Sequence, residues 1–503
     1  MHLPLRRVLA CAATAALAAG GLALTTSPEA TAAPAQQLAD DFNGDGYRDV
    51  VLNLPFHSTS TRHLSGAAMV LYGSASGLSS THRKLITQNT AGVPGTAESV
   101  DWFGHASTTG DFDGDGYADL AVSAPREGYV SGDTTWTDAG QVTLIWGGPD
   151  GLTHHGGTTV KLGTPTADRQ LVGIDLASGD FNGDGKRDLV VGNGRGGEAG
   201  TLLLGPFTRT GSAASRKPLG VATGTPYYAE TMLATGDLTG DGVTDLLVSW
   251  DTGTLDTTQG IHVLRGGSGG LTDIGVLKDA GGSQINHRES ERLAIGDLDR
   301  DGRDDVVVPQ PFALDHKGEF LVVYGGTNGQ DPARKPVHFS QDTPGVPDSN
   351  SDVGSDHFGK QVAVGDVNAD GYLDVIATSP GENHSNLSDP GKVTVLRGGP
   401  GGLTGSGATA FTQNTPGVPG ESIRYGGFGS SAKATDVNGD GRADALIGVF
   451  TVHPGGADGY TGGLWAFPGS ATGTTATGSK AFPPTSLGFA DTSMFEVGKS
   501  FNR

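Results

Sequence analysis

Seven stretches of this 503-residue chain repeat the pattern D-x-[D/N/T]-x-D-G-x-x-D. Oxygen-bearing side chains at alternate positions around a glycine are what a hard divalent cation, calcium above all, requires. Positions 1, 3, 5 and 9 would supply side-chain oxygens and position 7 a backbone carbonyl. Glycine at position 6 permits the sharp turn that points them inward. The first stretch offers Asp41, Asn43, Asp45 and Asp49 with the Tyr47 carbonyl, and the second Asp111, Asp113, Asp115 and Asp119 with that of Tyr117. The third offers Asp180, Asn182, Asp184 and Asp188 with Lys186, and the fourth Asp237, Thr239, Asp241 and Asp245 with Val243. The fifth offers Asp297, Asp299, Asp301 and Asp305 with Arg303, and the sixth Asp366, Asn368, Asp370 and Asp374 with Tyr372. The seventh offers Asp436, Asn438, Asp440 and Asp444 with Arg442. One such cluster could be a simple turn former. Seven copies with Asp held at positions 1, 5 and 9 point to metal. Thr239 is a neutral, poorer ligand, so the fourth loop is expected to bind most weakly. Lys186 is harmless if only its carbonyl is used.

The loop differs from a helix-flanked calcium loop, which closes with Glu at position 12. Position 12 here is Leu52 or Val122, inside an apolar run. The starts are separated by 70, 69, 57, 60, 69 and 70 residues, a period that signals an array of similar units. Each loop is followed by a short apolar run, such as Val50-Val51-Leu52, Leu189-Val190-Val191 or Val306-Val307-Val308, that reads as a buried strand. Another strand then ends in a glycine turn, as in Gly140–Gly147 and Gly391–Gly398. The near-identical phrases at 87–95 and 412–420, with a third copy at 340–347, read as an outer strand and its exit. A further strand leads into the loop, carrying Phe-Gly at Phe103-Gly104, Phe358-Gly359 and Phe428-Gly429, with Val172-Gly173 as a variant. Four antiparallel strands per unit, in seven units, predict an all-β, seven-bladed β-propeller.

Phe-Gly, then the acidic nonapeptide, then an apolar strand and Ala124-Pro125 resembles the FG-GAP repeat, which builds the propeller of integrin α chains. The resemblance covers about residues 38–503. It implies calcium between the first two strands of each blade, up to seven ions in all, and partner docking on the opposite face. Phe-Gly is absent from the fourth and fifth units. Val497-Gly498-Lys499-Ser500 aligns with Phe358-Gly359-Lys360-Gln361, so the C-terminal segment is expected to pair into the first blade and close the circle.

The elements that must carry these loops set further bounds. The formal charge of −22 argues against nucleic acid and anionic membrane surfaces as partners. The seven patterns hold 23 Asp, and one dication in each would bring the charge to −8. Arg6, Arg7, an apolar stretch from Val8 to about Leu24 and the small residues Ala30–Ala35 predict a secretory signal over residues 1–35, cleaved between Ala32 and Ala35. The expected domain plan is then that leader and one propeller over 36–503. The only cysteine, Cys11, falls in the leader, so the mature chain would have no disulfide. No second apolar run could span a bilayer. Gly266-Gly267-Ser268-Gly269-Gly270 matches a nucleophile motif formally but aligns with glycine turns elsewhere. His154, His155 and His384 show no zinc spacing. Trp465 is expected to pack between blades and Trp136 to lie at the surface. The reading is a monomeric, secreted, non-enzymatic binding or adhesion module, with an extracellular protein or glycan as partner. A propeller-scaffold hydrolase or lyase, or a lectin, is the alternative. The connections at 124–139, 309–317, 379–390 and 449–461 are the expected docking loops.

Overall fold

The computed structural model describes residues 38–59, 61–165, 169–223, 230–251, 260–287, 291–347, 355–452, 460–489 and 500–502. Every regular element among them is a β-strand. The expected leader lies outside the described residues, as do Val497-Gly498-Lys499 and part of the 449–461 connection. No helix among the described residues is long and apolar enough to cross a membrane.

The strands form seven antiparallel sheets of a β-propeller. Blade one holds Val50–Leu54, Ala67–Leu71 and Arg83–Ile86. Blade two holds Ser107–Gly110, Asp119–Ala124, Gln141–Ile145 and Gly157–Thr159. Blade three runs from Leu176–Gly179 to Ser215–Pro218, and blade four from Glu230–Gly236 to Thr272–Val276. Blade five runs from Ala294–Gly296 to Val337–Phe339, blade six from Val362–Gly365 to Thr404–Phe411, and blade seven from Phe428–Thr435 to Lys480–Phe482. A ribbon of Tyr129–Ser131 and Thr134–Trp136 stands in the second connection of blade two.

The apolar runs are continuous rather than alternating because each sheet is covered on both faces. Successive side chains point to opposite sides. Val50 and Leu52 therefore pack with Val437, Leu446 and Leu464 of blade seven. Val51, between them, packs with Leu120 and Val122 of blade two. The same division gives a core between each neighbouring pair of blades all round the circle. Trp465 lies in the core between blades six and seven, 8% exposed, as expected. Trp136 is half-buried on the ribbon, its ring 5.7 Å from that of Tyr129.

Among the described residues, no strand of blade one precedes the loop at Asp41. Residues 500–502 take that place: Leu52 pairs antiparallel with Phe501. Asn53 N–H donates to Ser500 O and Asn502 N–H donates to Val51 O, both at 3.1 Å. Phe501 joins the core between blades seven and one. The circle is closed by the C-terminal segment, as the alignment predicted.

Candidate metal centre

Each acidic nonapeptide is the turn between the first and second strands of its blade, so all seven lie on one face of the wheel. Within a loop the nine positions form a gradient of exposure. Position 9 is buried in every loop and position 5 is exposed in every loop.

The loop orders itself through its own amides. Gly44 and Asp45 N–H donate to Asp41 Oδ1 at 2.7 and 3.1 Å, and Gly46 N–H donates to Oδ2 at 2.8 Å. The second, third, fourth and seventh loops repeat all three bonds. Positions 4 and 6 both sit in the left-handed region, as with Gly44 at φ 71° and Gly46 at φ 87°. Sequence reading singled out position 6 alone. Arg300 and Ala369 occupy position 4 of the fifth and sixth loops at φ 63° and 59°. In those two loops, among the described residues, the position-4 amide makes no bond to the first Asp.

Position 3 accepts the N–H of position 5, as Asn43 does from Asp45 at 3.1 Å. Position 5 accepts the N–H of position 7, as Asp45 does from Tyr47 at 3.0 Å. The bond to position 3 is missing from the loop that carries Thr239. There the buried Asp245 takes the Thr239 amide at 3.0 Å, where other loops use position 2.

Position 9 is a floor rather than a rim. Asp119 is fully buried, and its Oδ2 accepts Phe112 N–H while its Oδ1 accepts Gly147 N–H, at 2.9 and 2.8 Å. Its counterparts Asp49, Asp188, Asp305, Asp374 and Asp444 make the same pair of bonds. The second partner is always the glycine that ends the blade's third strand: Gly73, Gly147, Gly205, Gly266, Gly325, Gly398 or Gly469. Burial pushes Asp49 and Asp119 up to about 8, Asp305 to about 7, and Asp188 and Asp444 to about 6. Asp245 and Asp374 are raised for the same reason.

That third-strand glycine also leads into a bond to the neighbouring blade. Gly148 N–H, next to Gly147, donates to Phe42 O of blade one at 3.0 Å. Equivalent bonds reach Phe112, Phe181, Leu238, Val367 and Val437, so six of the seven junctions are tied in this way among the described residues. A Cβ on Gly147 would lie 2.1 Å from Ala118 O, and one on Gly325 2.3 Å from Asp304 O. The close approach, not a special φ, requires glycine here. Its recurrence after every third strand was the signal available in the sequence.

The second and fifth loops are alone in carrying Asp at position 3, and in both the oxygens of positions 1, 3 and 5 lie within 4.8 Å of one another. Carboxylates this close repel by roughly 1–4 kcal/mol per pair, depending on solvent. Each of these loops has an arginine. Arg209 engages Asp113 and Asp115 and lies 4.7 Å from the Trp146 ring centre. Arg334 engages Asp299 and stacks 3.2 Å from the Tyr324 ring centre. The fourth loop, which lacks the extra Asp, also has an arginine: Arg265 engages Asp241 at 2.7 Å.

All donors in the loops are hard oxygens, spaced alternately and converging from three side chains on an exposed rim. This set fits calcium or magnesium and lacks the sulfur and imidazole that softer metals select. The Ser268 segment is a turn between two strands of blade four, and His154 and His155 lie in the corresponding turn of blade two.

A family model described as FG-GAP repeat matches residues 103–145 and 358–396, and one described as FG-GAP-like repeat matches 180–248. The matched segments, in blades two, three, four and six, are FG-GAP repeats. Integrin alpha pat-2 of Caenorhabditis briggsae is 29% identical over 226 residues, 43% of this chain and 17% of that protein. Phosphatidylinositol-glycan-specific phospholipase D of Bos taurus is 32% identical over 184 residues, 36% of this chain and 21% of that protein. The chain thus matches about a fifth of the length of these relatives. A rhamnogalacturonan lyase from Bacillus licheniformis superposes on 86% of this chain and 73% of its own at 13% identity and TM-score 0.23, too distant to bear on fold or activity.

Proposed function

We propose that the chain is a secreted, calcium-stabilised FG-GAP propeller that binds an extracellular protein or glycan. The observation that carries the metal part is the convergence of Asp111, Asp113 and Asp115 oxygens, and of their counterparts Asp297, Asp299 and Asp301, at loops already shaped by backbone N–H bonds. In each loop positions 1, 3 and 5 would hold the ion from the rim, with the position-7 carbonyl. The buried position-9 carboxylate would close the site from below. Each oxygen of Asp49 or Asp119 accepts one amide N–H and keeps a second lone pair. The ion's part is electrostatic: it offsets carboxylate repulsion and the cost of ionising position 9. The chain's part is to preset the cage, which lowers the ordering cost of binding. Loops of this kind on extracellular proteins work at about 10⁻⁴–10⁻³ M calcium.

Binding is assigned to the face opposite the loops, where the connections between second and third strands differ in length and sequence from blade to blade. The ribbon carrying Tyr129, Val130 and Trp136 belongs to that face, with Val130 68% exposed. The integrin relatives support this adhesion reading, and the phospholipase D relative supports the catalytic alternative. The test is a pull-down from extracellular material with and without calcium, using the ribbon-deleted chain as control. Specific, calcium-dependent capture that the deletion abolishes supports the proposal. Turnover on a panel of glycoside and lipid substrates, lost on changing one residue of that face, would replace it with a hydrolase or lyase.

A further inference from the structure

A second kind of acidic site lies away from the loops. Glu98, Asp101 and Glu127 bring carboxylate oxygens within 4.8 Å of one another. Glu127 follows the far end of the strand Asp119–Ala124, whose near end is the FG-GAP loop, so this cluster is on the opposite face. Acidic side chains often gather on surfaces without consequence, but in this group only Glu98 is exposed. Asp101 is 4% exposed and Glu127 is half-buried. Burial raises Asp101 to about 6 and Glu127 to about 7.

Beneath them lies Gln88, which is 2% exposed. Its Nε2 donates to Glu127 Oε2 at 2.5 Å, while its Oε1 has no hydrogen-bond partner. A buried amide oxygen left bare, on the amide whose nitrogen is bonded to Glu127, is a hard donor in need of a positive partner. The nearby cations supply little. Arg62 attracts Asp101, and the Arg126 guanidinium is turned onto the Trp102 ring, 4.0 Å from its centre.

Blade six gives an internal control. Gln341 Nε2 donates to Glu382 Oε2 at 2.5 Å, as Gln88 does to Glu127. There Lys392 Nζ lies 3.2 Å from the same carboxylate and neutralises it. Lys392 pairs with Ser379, and the residue in the same register of blade two, opposite Ala124, is Gln141. Blade two thus has the same buried Gln–Glu pair without the ammonium, and its Glu127 lies beside Glu98 and Asp101 instead.

We propose that Glu98, Asp101, Glu127 and the Gln88 carbonyl oxygen bind a divalent cation of the calcium class, on the face opposite the FG-GAP loops. The metal takes the place that Lys392 fills in blade six. Glu98, the exposed member, leaves the ion open to solvent and thus to an acidic group on a partner.

Crystals of the full chain soaked with terbium, a calcium mimic, test this by anomalous diffraction. The expected result is a peak between the three carboxylates that is lost in Gln141→Lys and in Glu98→Gln, with loop peaks unchanged. Gln141→Lys copies the charge pattern of blade six, and melting in calcium-free buffer checks that both variants fold. Absence of terbium from the triangle overturns the proposal whatever the loops bind. A triangle peak that survives both variants overturns it too. Terbium at the triangle but not at the loops would support this site while contradicting the loop assignment.

Discussion

At the residue scale, each loop separates shaping from binding. The first Asp is spent largely on its own amides, the ninth on amides of the blade, and the rim oxygens remain for an ion. Position 4 exposes the cost of a missing glycine. A non-glycine residue in the left-handed region is strained by roughly 1–2 kcal/mol. Ala369, at φ 59°, bears that strain. Ala369→Gly is expected to stabilise the fold by about 0.5–1 kcal/mol in urea melts, the strain relief less the added freedom of the unfolded chain. The ninth position sets the pH response. The carboxyls of Asp49 and Asp119 are raised to about 8 when folded, above their ordinary values near 3.8. The cation-free fold therefore holds more protons than the unfolded chain, and this contribution to stability is lost as pH rises from about 4 through about 8. Calcium-free protein is expected to melt higher at pH 5 than at pH 8, and calcium affinity to rise over the same interval as bound protons are displaced. Melting and calorimetric titration at the two pH values check both signs. The oxygen-bearing side chains and their spacing were legible from sequence because the pattern is repeated seven times. The amide bonds that occupy positions 1 and 9 were not, since backbone donors leave no trace in residue identity.

At the element scale, the third-strand glycine joins two sheets. Its own N–H goes to the buried Asp of its blade, and the next free N–H goes to the neighbouring loop. Gly147→Ala would drive a methyl group into Ala118 O. Destabilisation of about 1–3 kcal/mol is expected from overpacking, with a loss of calcium affinity at the adjoining loops. Urea melts with and without calcium measure both effects. The strands themselves were plain in the sequence, because sheets covered on both faces write continuous apolar runs. The inter-blade ties were hidden, since they depend on a carbonyl of one repeat meeting an amide of the next. Arg209 and Arg334 were also missed: each lies remote in sequence from the carboxylates it engages, and only the extra Asp at position 3 hinted at a counter-charge.

At the scale of the whole molecule, a wheel of sheets is a closed ring only if the last element meets the first. Phe501 is 4% exposed in the closing core and its chain completes blade one. Phe501→Ala is expected to cost about 3–5 kcal/mol, and deleting residues 492–503 to lower the melting temperature further. An unchanged melting temperature in both would contradict closure by this segment. The repeat count and the closing segment were readable because the alignment left one unit short of an inner strand. The account as a whole rests on the loops being ion sites that brace this wheel, and calcium titration of the purified chain by calorimetry tests that most directly. The expected result is binding of several ions per chain, up to seven, in the range of about 10⁻⁴–10⁻³ M, with a melting temperature that rises as they bind. A folded chain that takes up no calcium at millimolar concentration, and melts identically with and without it, would contradict the account.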